Sequence, residues 1–178
     1  MNWVIAKAKP RPIKPLSPEE NQNIDSYVSK LKLHRTHHAS RQVIAGARKQ
    51  AFMQIKNAPK PSSEQVAHNR DSMANSTRQG GELRGNSTDR ARSRHNLFKA
   101  YGGEVRGHIA CPSCGLKLHH TSDPEQNPNG YPKLERDKIV TGHNGGTYTL
   151  PNLVPSCHAC NSERSDKPHP IGKPDWQK

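Results

Sequence analysis

Two Cys-x-x-Cys pairs constrain the fold of this chain more than any other feature of its sequence. Cys111 and Cys114 form the first pair, Cys157 and Cys160 form the second, and 42 residues separate the pairs. Two such pairs that converge on one ion make a tetrahedral zinc site, and four thiolates leave no open position for water. The spacing therefore predicts a structural zinc ion that closes a long loop and catalyses nothing itself.

The composition explains why the chain needs such a cross-link. Only 30% of the 178 residues are hydrophobic and 4% are aromatic, which allows one compact domain with extended segments and excludes a large multi-domain enzyme. No run approaches the roughly 18 apolar residues of a membrane span, and the first residues lack the apolar segment of a secretory signal. We therefore expect a cytoplasmic protein, in which paired cysteines bind metal more often than they form disulfides.

The charge of the chain is concentrated in its N-terminal part. The net charge is +13; residues 1–106 carry 20 lysines and arginines against 8 acidic residues, whereas residues 107–178 carry 8 against 7. Lysines and arginines that neutralise phosphates release counterions on binding. The distribution favours a polyanionic partner, DNA above all, and the alternative is a charge that serves only solubility.

Residues 1–85 are predicted to be a basic N-terminal region of short helices and linkers. Its predicted segments are an extended arm over 1–16, a helix from the Ser17 cap to about Lys32, a helix over about Ser40–Lys56, and a linker over 57–86. After the linker, a cap at Asn86 or Ser87 predicts a further helix that ends near Tyr101, before Gly102-Gly103.

Two of these predicted helices carry clustered cations. Arg41, Arg48 and Lys49 gather on one side of the second helix, and the helix after the linker holds three arginines at Arg90, Arg92 and Arg94. Either set could lie along a phosphate backbone. The alternative is an ordinary solvated helix face, because charged faces are common on small helical proteins.

The region around the second cysteine pair resembles a known family. The resemblance is carried by Asp137-Lys138-Ile-Val, Gly145-Gly146, Asn152-Leu153 and Cys157-x-x-Cys160-Asn161. In order and spacing, residues 86–166 resemble the zinc-containing branch of the HNH endonuclease family. They are most similar to phage-type members in STDRARSRHNLFKAYG, in GGTY, and from NLVPSC to CN.

The resemblance implies an α+β fold: a small ββα-metal domain stapled by a site of four cysteines and preceded by the basic region. We expect this HNH domain over 86–170 and a tail over 171–178. The implied elements are a strand over 133–141, a loop over 143–147, a strand over 148–154 and a helix over 160–165. Local alternation and turn residues agree with these ranges.

The resemblance also implies a set of cation ligands. Asp137 would ligate Mg²⁺ or Mn²⁺ through its carboxylate and Asn161 through its amide oxygen, as suits hard cations. Asn152 would brace the loop and orient the general base. Glu135 faces the same side of the strand as Asp137 and could support the cation through a water; a salt bridge to Arg136 or Lys133 is the preferred alternative.

Lys138 occupies the position of the family's general-base histidine. A lysine is almost fully protonated near pH 7, so it is a poor base, and we expect Lys138 to contact the phosphate instead. An imidazole titrates in the range that a general base needs, so His143 is the candidate base. Two alternatives stay open: His143 is an ordinary exposed loop histidine, or cation-bound water reacts without a side-chain base.

Taken together, these features predict a metal-dependent DNA endonuclease or nickase, with phage DNA packaging and a terminase partner as its suggested setting. The main alternative is a zinc-stabilised nucleic-acid-binding module without cleavage activity, for which Lys138 is the main argument. A structural or assembly protein explains neither the basic region nor the placement of Asp137 and Asn161.

Overall fold

The computed structural model describes residues 38–75 and 85–178, so the predicted arm and first helix lie outside the described residues. Five helices and four short strands follow one another in this part of the chain. They are α1 (Arg41–Lys56), α2 (Ser63–Asn75), α3 (Ser87–Ala100), α4 (Gly103–Arg106), β1 (Ile109–Ala110), β2 (Lys117–Leu118), β3 (Glu135–Lys138), β4 (Leu153–Ser156) and α5 (His158–Arg164). Three short 3₁₀ turns lie at Gly142–Asn144, Leu150–Asn152 and Asp175–Gln177.

Two antiparallel pairs of strands and a following helix make the fold α+β, as predicted. β1 pairs with β2, and the turn between them holds the first cysteine pair. β3 pairs with β4 in a register that sets Asp137 opposite Val154, and α5 follows directly after β4. This β3–β4–α5 unit is the ββα arrangement expected from the sequence.

The second strand of this unit starts later than predicted. The sequence predicts a strand over 148–154, whereas β4 covers Leu153–Ser156 and a 3₁₀ turn precedes it. Pro151 stands in that turn, where it cannot donate to a strand ladder. α5 in turn begins at His158, earlier than predicted, because the Cys157 side chain caps it by accepting from the Cys160 amide at 3.4 Å.

Two predicted helices are present, each capped by a side chain, and the cap of the second is the predicted Asn86. Ser40 accepts from the Val43 amide at the start of α1. Asn86 accepts from the Asp89 amide at 2.9 Å at the start of α3. Side-chain oxygens satisfy amides that the first helical turn leaves unpaired, so these starts could be read directly from the sequence.

α2 lies where the sequence predicts a linker. Its apolar periodicity is weak, and Asn69 is its one fully buried residue. Hydrogen bonds attach it instead: the Asn69 amide donates to the Gly146 carbonyl, and Arg70 Nε donates to the His143 carbonyl, both at 3.2 Å. The helix depends on a loop more than 70 residues away, and no local pattern reveals such a contact.

α1 contributes to both hydrophobic clusters of the described chain. The larger cluster joins Ala47 to side chains of α3, β1, β2, β4 and the cysteines. The smaller one joins Ala51 and Ile55 to Ile139 and Val154. The domain boundary predicted near residue 85 stays a prediction, but α1 packs on the same strands that carry the predicted site. Among the described residues, no helix has the length and apolar character needed to cross a membrane.

Candidate metal centre and active site

The four cysteines meet in one buried cluster. Their sulfur atoms lie within 4.8 Å of one another, none forms a disulfide, and the Cys114 and Cys157 sulfurs are 3.7 Å apart. Zinc with bonds of about 2.3 Å to sulfur requires tetrahedral sulfur separations of about 3.8 Å. The donor set and its spacing fit a structural zinc ion.

The ionisation of the sulfurs agrees with a site that needs a cation. Hydrogen bonds from the three other cysteines lower the pKa of Cys111, while hydrogen bonds to Cys111 raise the pKa of Cys114 and Cys160. Four buried sulfurs cannot all carry negative charge side by side unless a positive ion compensates them. A zinc ion held by the four cysteines would supply that charge.

An arginine of α1 holds the turn between the first two cysteines. Arg48 Nε donates to the Pro112 carbonyl at 2.9 Å and a terminal nitrogen donates to the Ser113 carbonyl at 3.2 Å. Gly115 closes the turn with φ +80°, and a Cβ there would meet the Ile44 side chain at 2.6 Å. α1 therefore packs directly against the turn over residues 111–115, called the zinc turn below.

The second cysteine pair positions the start of α5. Cys157 caps the helix and Cys160 lies in its first turn, so a zinc ion bound by both fixes that turn against the β1–β2 hairpin. His158 and Asn161 lie in the same turn. A structural zinc ion would thus fix the backbone that carries these two polar side chains.

β3 separates the predicted site residues into two groups, because successive side chains of a strand point to opposite faces. Glu135 and Asp137 face α5, where their side-chain partners lie. Arg136 and Lys138 lie against Tyr148, with cationic groups 4.4 Å and 4.5 Å from the centre of its ring.

Asp137 is buried among cationic and polar partners. It is 2% exposed, contacts Arg164 Nη1 through one carboxylate oxygen, and has His169 Nε2 3.6 Å from the other. Arg164 also donates to the Lys138 carbonyl at 2.8 Å and to the Ile139 carbonyl at 3.1 Å. Arg164 and His169 therefore close off the carboxylate from solvent.

Burial also changes the protonation of this pair. Burial raises the pKa of Asp137 to about 7, although the charge and hydrogen bond of Arg164 act in the opposite direction. Burial, followed by the charge of Arg164, lowers the pKa of His169 to about 3. His169 is therefore neutral at pH 7 and acts on Asp137 as a polar neighbour rather than as a cation.

Asn161 faces Glu135. The Asn161 amide donates to Oε2 of Glu135, and His158 Nδ1 lies 2.7 Å from Oε1 of the same carboxylate. The predicted cation ligands Asp137 and Asn161 therefore do not present their oxygens to one open position, and this pair does not fit a shared cation in the observed arrangement. Their ligand roles stay predictions.

Asn152 lies inside the loop that it was predicted to brace. Its Oδ1 accepts from the Val140 amide at 2.9 Å, and its Nδ2 donates to the Val140 and Thr147 carbonyls at 3.0 Å and 2.9 Å. Gly146 passes so close that a Cβ there would lie 1.7 Å from the Val140 carbonyl oxygen. The loop is pinned at its base by one side chain.

His143 and Lys138 lie at the same end of this loop. His143 is exposed in the 3₁₀ turn Gly142–Asn144, and its carbonyl accepts from Arg70 of α2. A Cβ on Gly142 would lie 2.7 Å from Lys138 Nζ. The lysine ammonium group and the loop that carries His143 are thus neighbours, on the face of β3 away from Asp137.

Comparison with known families accounts for this arrangement. A model of the family described as HNH endonuclease matches residues 111–167, which include both cysteine pairs, β3, the pinned loop and α5. The chain contains an HNH endonuclease domain. A domain of this family implies a nuclease and a nucleic-acid substrate. No curated protein and no solved structure is similar enough to the chain to match it.

The cations predicted to bind nucleic acid lie outside the matched HNH residues, on α1 and α3. Arg41, Lys49 and Arg92 are exposed, and Arg92 lies 3.8 Å from Asp89. Two others donate within the chain. These are Arg90, to the Gly85 carbonyl, and Arg94, to the His120 carbonyl, each at 3.4 Å. Phosphate contacts by any of them, and by Arg48, stay predictions.

Several residues that shape the HNH site were not singled out in the sequence. Arg164 follows Asn161 by three positions, so helical spacing alone could have placed it beside β3. His169 follows the last helix of the unit, and no periodic pattern marks it. Asn69 and Arg70 lie in the segment predicted to be a linker, so their contacts with the loop could not be foreseen.

Proposed function

We propose that this protein is a metal-dependent DNA endonuclease or nickase. The supporting observation is the HNH match over residues 111–167. The four cysteines, which could bind zinc, also bring the start of α5 against the β1–β2 hairpin. In this proposal the four cysteines hold Zn²⁺ for structure, and Mg²⁺ or Mn²⁺ serves catalysis. A bound divalent cation would neutralise charge on the reacting phosphate.

Cations of α1 and α3 are proposed to hold the DNA backbone. Arg41, Lys49 and Arg92 expose their side chains in this part of the chain, and residues 1–106 carry most of the net positive charge. Because each neutralised phosphate releases condensed counterions, affinity should fall steeply as salt concentration rises.

We assign the remaining roles to the loop side of β3. Lys138 carries a fixed positive charge beside Tyr148 and Gly142, which suits contact with a phosphate oxygen. His143 is exposed in the adjoining turn and is our candidate for accepting a proton from water. Asn152 keeps the backbone of that loop in place.

A plasmid assay tests the proposal. Supercoiled DNA incubated with the zinc-loaded chain and Mg²⁺ or Mn²⁺ should give nicked or linear product, and a chelator should stop the reaction. His143→Ala should slow cleavage by about 10²-fold or more, whereas His68→Ala, an exposed histidine on α2, is the matched control. Full cleavage by His143→Ala means that His143 is not the base, and a parallel Lys138→Ala variant then tests the lysine.

A second candidate function is nucleic-acid binding without cleavage. The observation that favours it is the burial of Asp137 under Arg164 and His169, together with a lysine in the predicted base position. Wild-type protein that leaves the plasmid intact with either ion, yet binds DNA with a steep salt dependence, would establish this function instead.

We further propose that the protein acts on phage DNA during packaging, in the host cytoplasm and beside a terminase. The support is the resemblance of three segments to phage-type HNH proteins. Co-purification with the terminase subunits encoded nearest to this gene, against a coat protein as control, tests the association. Failure to co-purify would leave the nuclease proposal in place and remove this setting.

A further inference from the structure

The predicted ligand pair and the observed contacts disagree about where a divalent cation can bind. Arg164 contacts one oxygen of Asp137, His169 Nε2 lies 3.6 Å from the other, and the side chain of Asp137 is 3% exposed. A cation there would have to displace a buried arginine and would meet its charge at close range. Asn161, the other predicted ligand, faces a different carboxylate.

We infer that Glu135, His158 and Asn161 form the divalent cation site of this domain. The inference rests on the proposed function for its role in cleavage, but the binding site itself is argued from geometry. Glu135 lies between the two others, with His158 Nδ1 2.7 Å from one oxygen and the Asn161 amide in contact with the other. Ligands on adjacent corners of an octahedral cation lie about 3 Å apart.

The backbone already holds these three side chains in place. His158 and Asn161 are three residues apart on α5 and therefore share a face of the helix. Glu135 pairs in register with Ser156 of β4, close to the start of α5. Cys157 and Cys160 directly precede His158 and Asn161, so a zinc ion bound by these cysteines would also fix the backbone of both residues.

Solvent access distinguishes this cluster from Asp137. The side chains of Glu135 and His158 are 33% and 83% exposed, whereas that of Asp137 is 3% exposed. A cation at Glu135 keeps open positions for water and for a phosphate oxygen. The Glu135 carboxylate accepts from the Asn161 amide and lies against the His158 ring nitrogen. A half-turn of the Asn161 amide would direct its oxygen toward the ion.

The donors also define which cation fits. A carboxylate oxygen and an amide oxygen suit Mg²⁺ and Mn²⁺, but an imidazole nitrogen favours transition metals over Mg²⁺. The cluster should therefore bind Mn²⁺ more tightly than Mg²⁺. The four cysteines remain the zinc site, because soft thiolates do not select Mn²⁺.

Manganese binding, measured without DNA, tests the inference. The zinc-loaded chain is titrated with Mn²⁺ while electron paramagnetic resonance records the free ion, and spin-echo modulation reports a coordinated imidazole nitrogen. Loss of an outer-shell partner costs about 10- to 100-fold in metal affinity, so Glu135→Gln should cost at least about tenfold. His158→Gln should remove the imidazole modulation. Glu163→Gln, which changes an exposed glutamate of the same helix, should bind as wild type, and the zinc content shows whether each variant is folded.

Other results overturn the inference. It is wrong if Mn²⁺ does not bind at millimolar concentration, if Glu135→Gln binds as wild type, or if Asp137→Asn is the variant that loses Mn²⁺. Its failure is separable from failure of the nuclease proposal. Mn²⁺ bound at Glu135 with an intact plasmid refutes cleavage alone, whereas plasmid cleavage with Mn²⁺ still bound to Glu135→Gln refutes the site alone.

Discussion

Replacing Asn152 by alanine tests how the HNH loop is held. The side chain is 2% exposed and makes three hydrogen bonds of 2.9–3.0 Å, one from the Val140 amide and two to the Val140 and Thr147 carbonyls. Alanine at this position removes all three at once. It also leaves polar backbone groups facing a space with no protein partner.

The magnitude follows from these bonds. Each intramolecular hydrogen bond contributes about 1 kcal/mol net, and a buried group left without a partner costs about 1–3 kcal/mol. Two lost bonds at about 1 kcal/mol each, and a third whose loss leaves the buried Val140 amide unpaired at about 1–3 kcal/mol, give about 3–5 kcal/mol of destabilisation. Since small domains are stable by only about 5–15 kcal/mol, the loss should be obvious in any unfolding measurement.

The assay is urea unfolding of the zinc-loaded protein, followed by circular dichroism at equal zinc concentration. The matched control is Asn144→Ala in the same loop. Asn144 is exposed and makes one side-chain hydrogen bond, to Thr141 Oγ1 at 3.1 Å, so its loss should cost about 0.5 kcal/mol. Comparable slopes against urea for all three proteins establish that the same transition is compared.

The reasoning about Asn152 fails if its alanine variant loses no more stability than Asn144→Ala. That result would mean that water replaces the side chain within the loop. Hydrogen exchange gives an independent check, because the Val140 amide should lose its protection in Asn152→Ala and keep it in Asn144→Ala.

Further changes test other parts of the structure. Arg48→Met should destabilise the protein by about 1–3 kcal/mol, because it leaves two carbonyls of the zinc turn unpaired, and urea unfolding should show Lys49→Met near wild type. Burial lowers the pKa of His120 to about 4; the unfolded state therefore takes up the proton first, and stability should fall as pH drops from 6.5 toward 4. Denaturation at pH 7.5 and 5 should show a smaller loss for His120→Gln, and an equal loss contradicts the assignment. A chain that starts at residue 86 lacks α1 and should unfold at lower urea than the full chain; an unchanged midpoint would support the predicted domain boundary.

Much of the fold could be predicted because its signals are local. The Asn86 cap, the helix predicted over about 40–56 and the two Cys-x-x-Cys pairs are local patterns, and each corresponds to the structural feature it predicts. The β3–β4–α5 unit was found through resemblance, whose motifs are also contiguous. Signals of this kind depend only on neighbouring residues, so one sequence is enough to find them.

The remaining features depend on contacts between distant parts of the chain. α2 looks like a linker because its stabilising partners lie in the loop near Gly146. Arg48 is predicted to contact phosphate, and the sequence cannot show that in the fold it donates to the Pro112 and Ser113 carbonyls. The sequence predicts that Asp137 is a cation ligand but cannot show that Arg164 contacts its carboxylate. In each case a polar side chain has a partner that tertiary structure supplies.

The zinc site and the inferred cation site should be thermodynamically coupled. A cross-link closing a loop of about 46 residues lowers the conformational entropy of the unfolded chain. On the estimate used for disulfides, this raises the free energy of the unfolded state by about 4 kcal/mol at 25 °C. Two of the zinc ligands, Cys157 and Cys160, lie in the turn of α5 that carries His158 and Asn161. Loss of zinc therefore removes the support of two of the three proposed cation ligands while Glu135 stays on its strand. Because linkage is reciprocal, a divalent cation at Glu135 must also strengthen zinc retention. A catalytic ion bound by Asp137, which α5 reaches through Arg164, would depend on zinc only through that arginine.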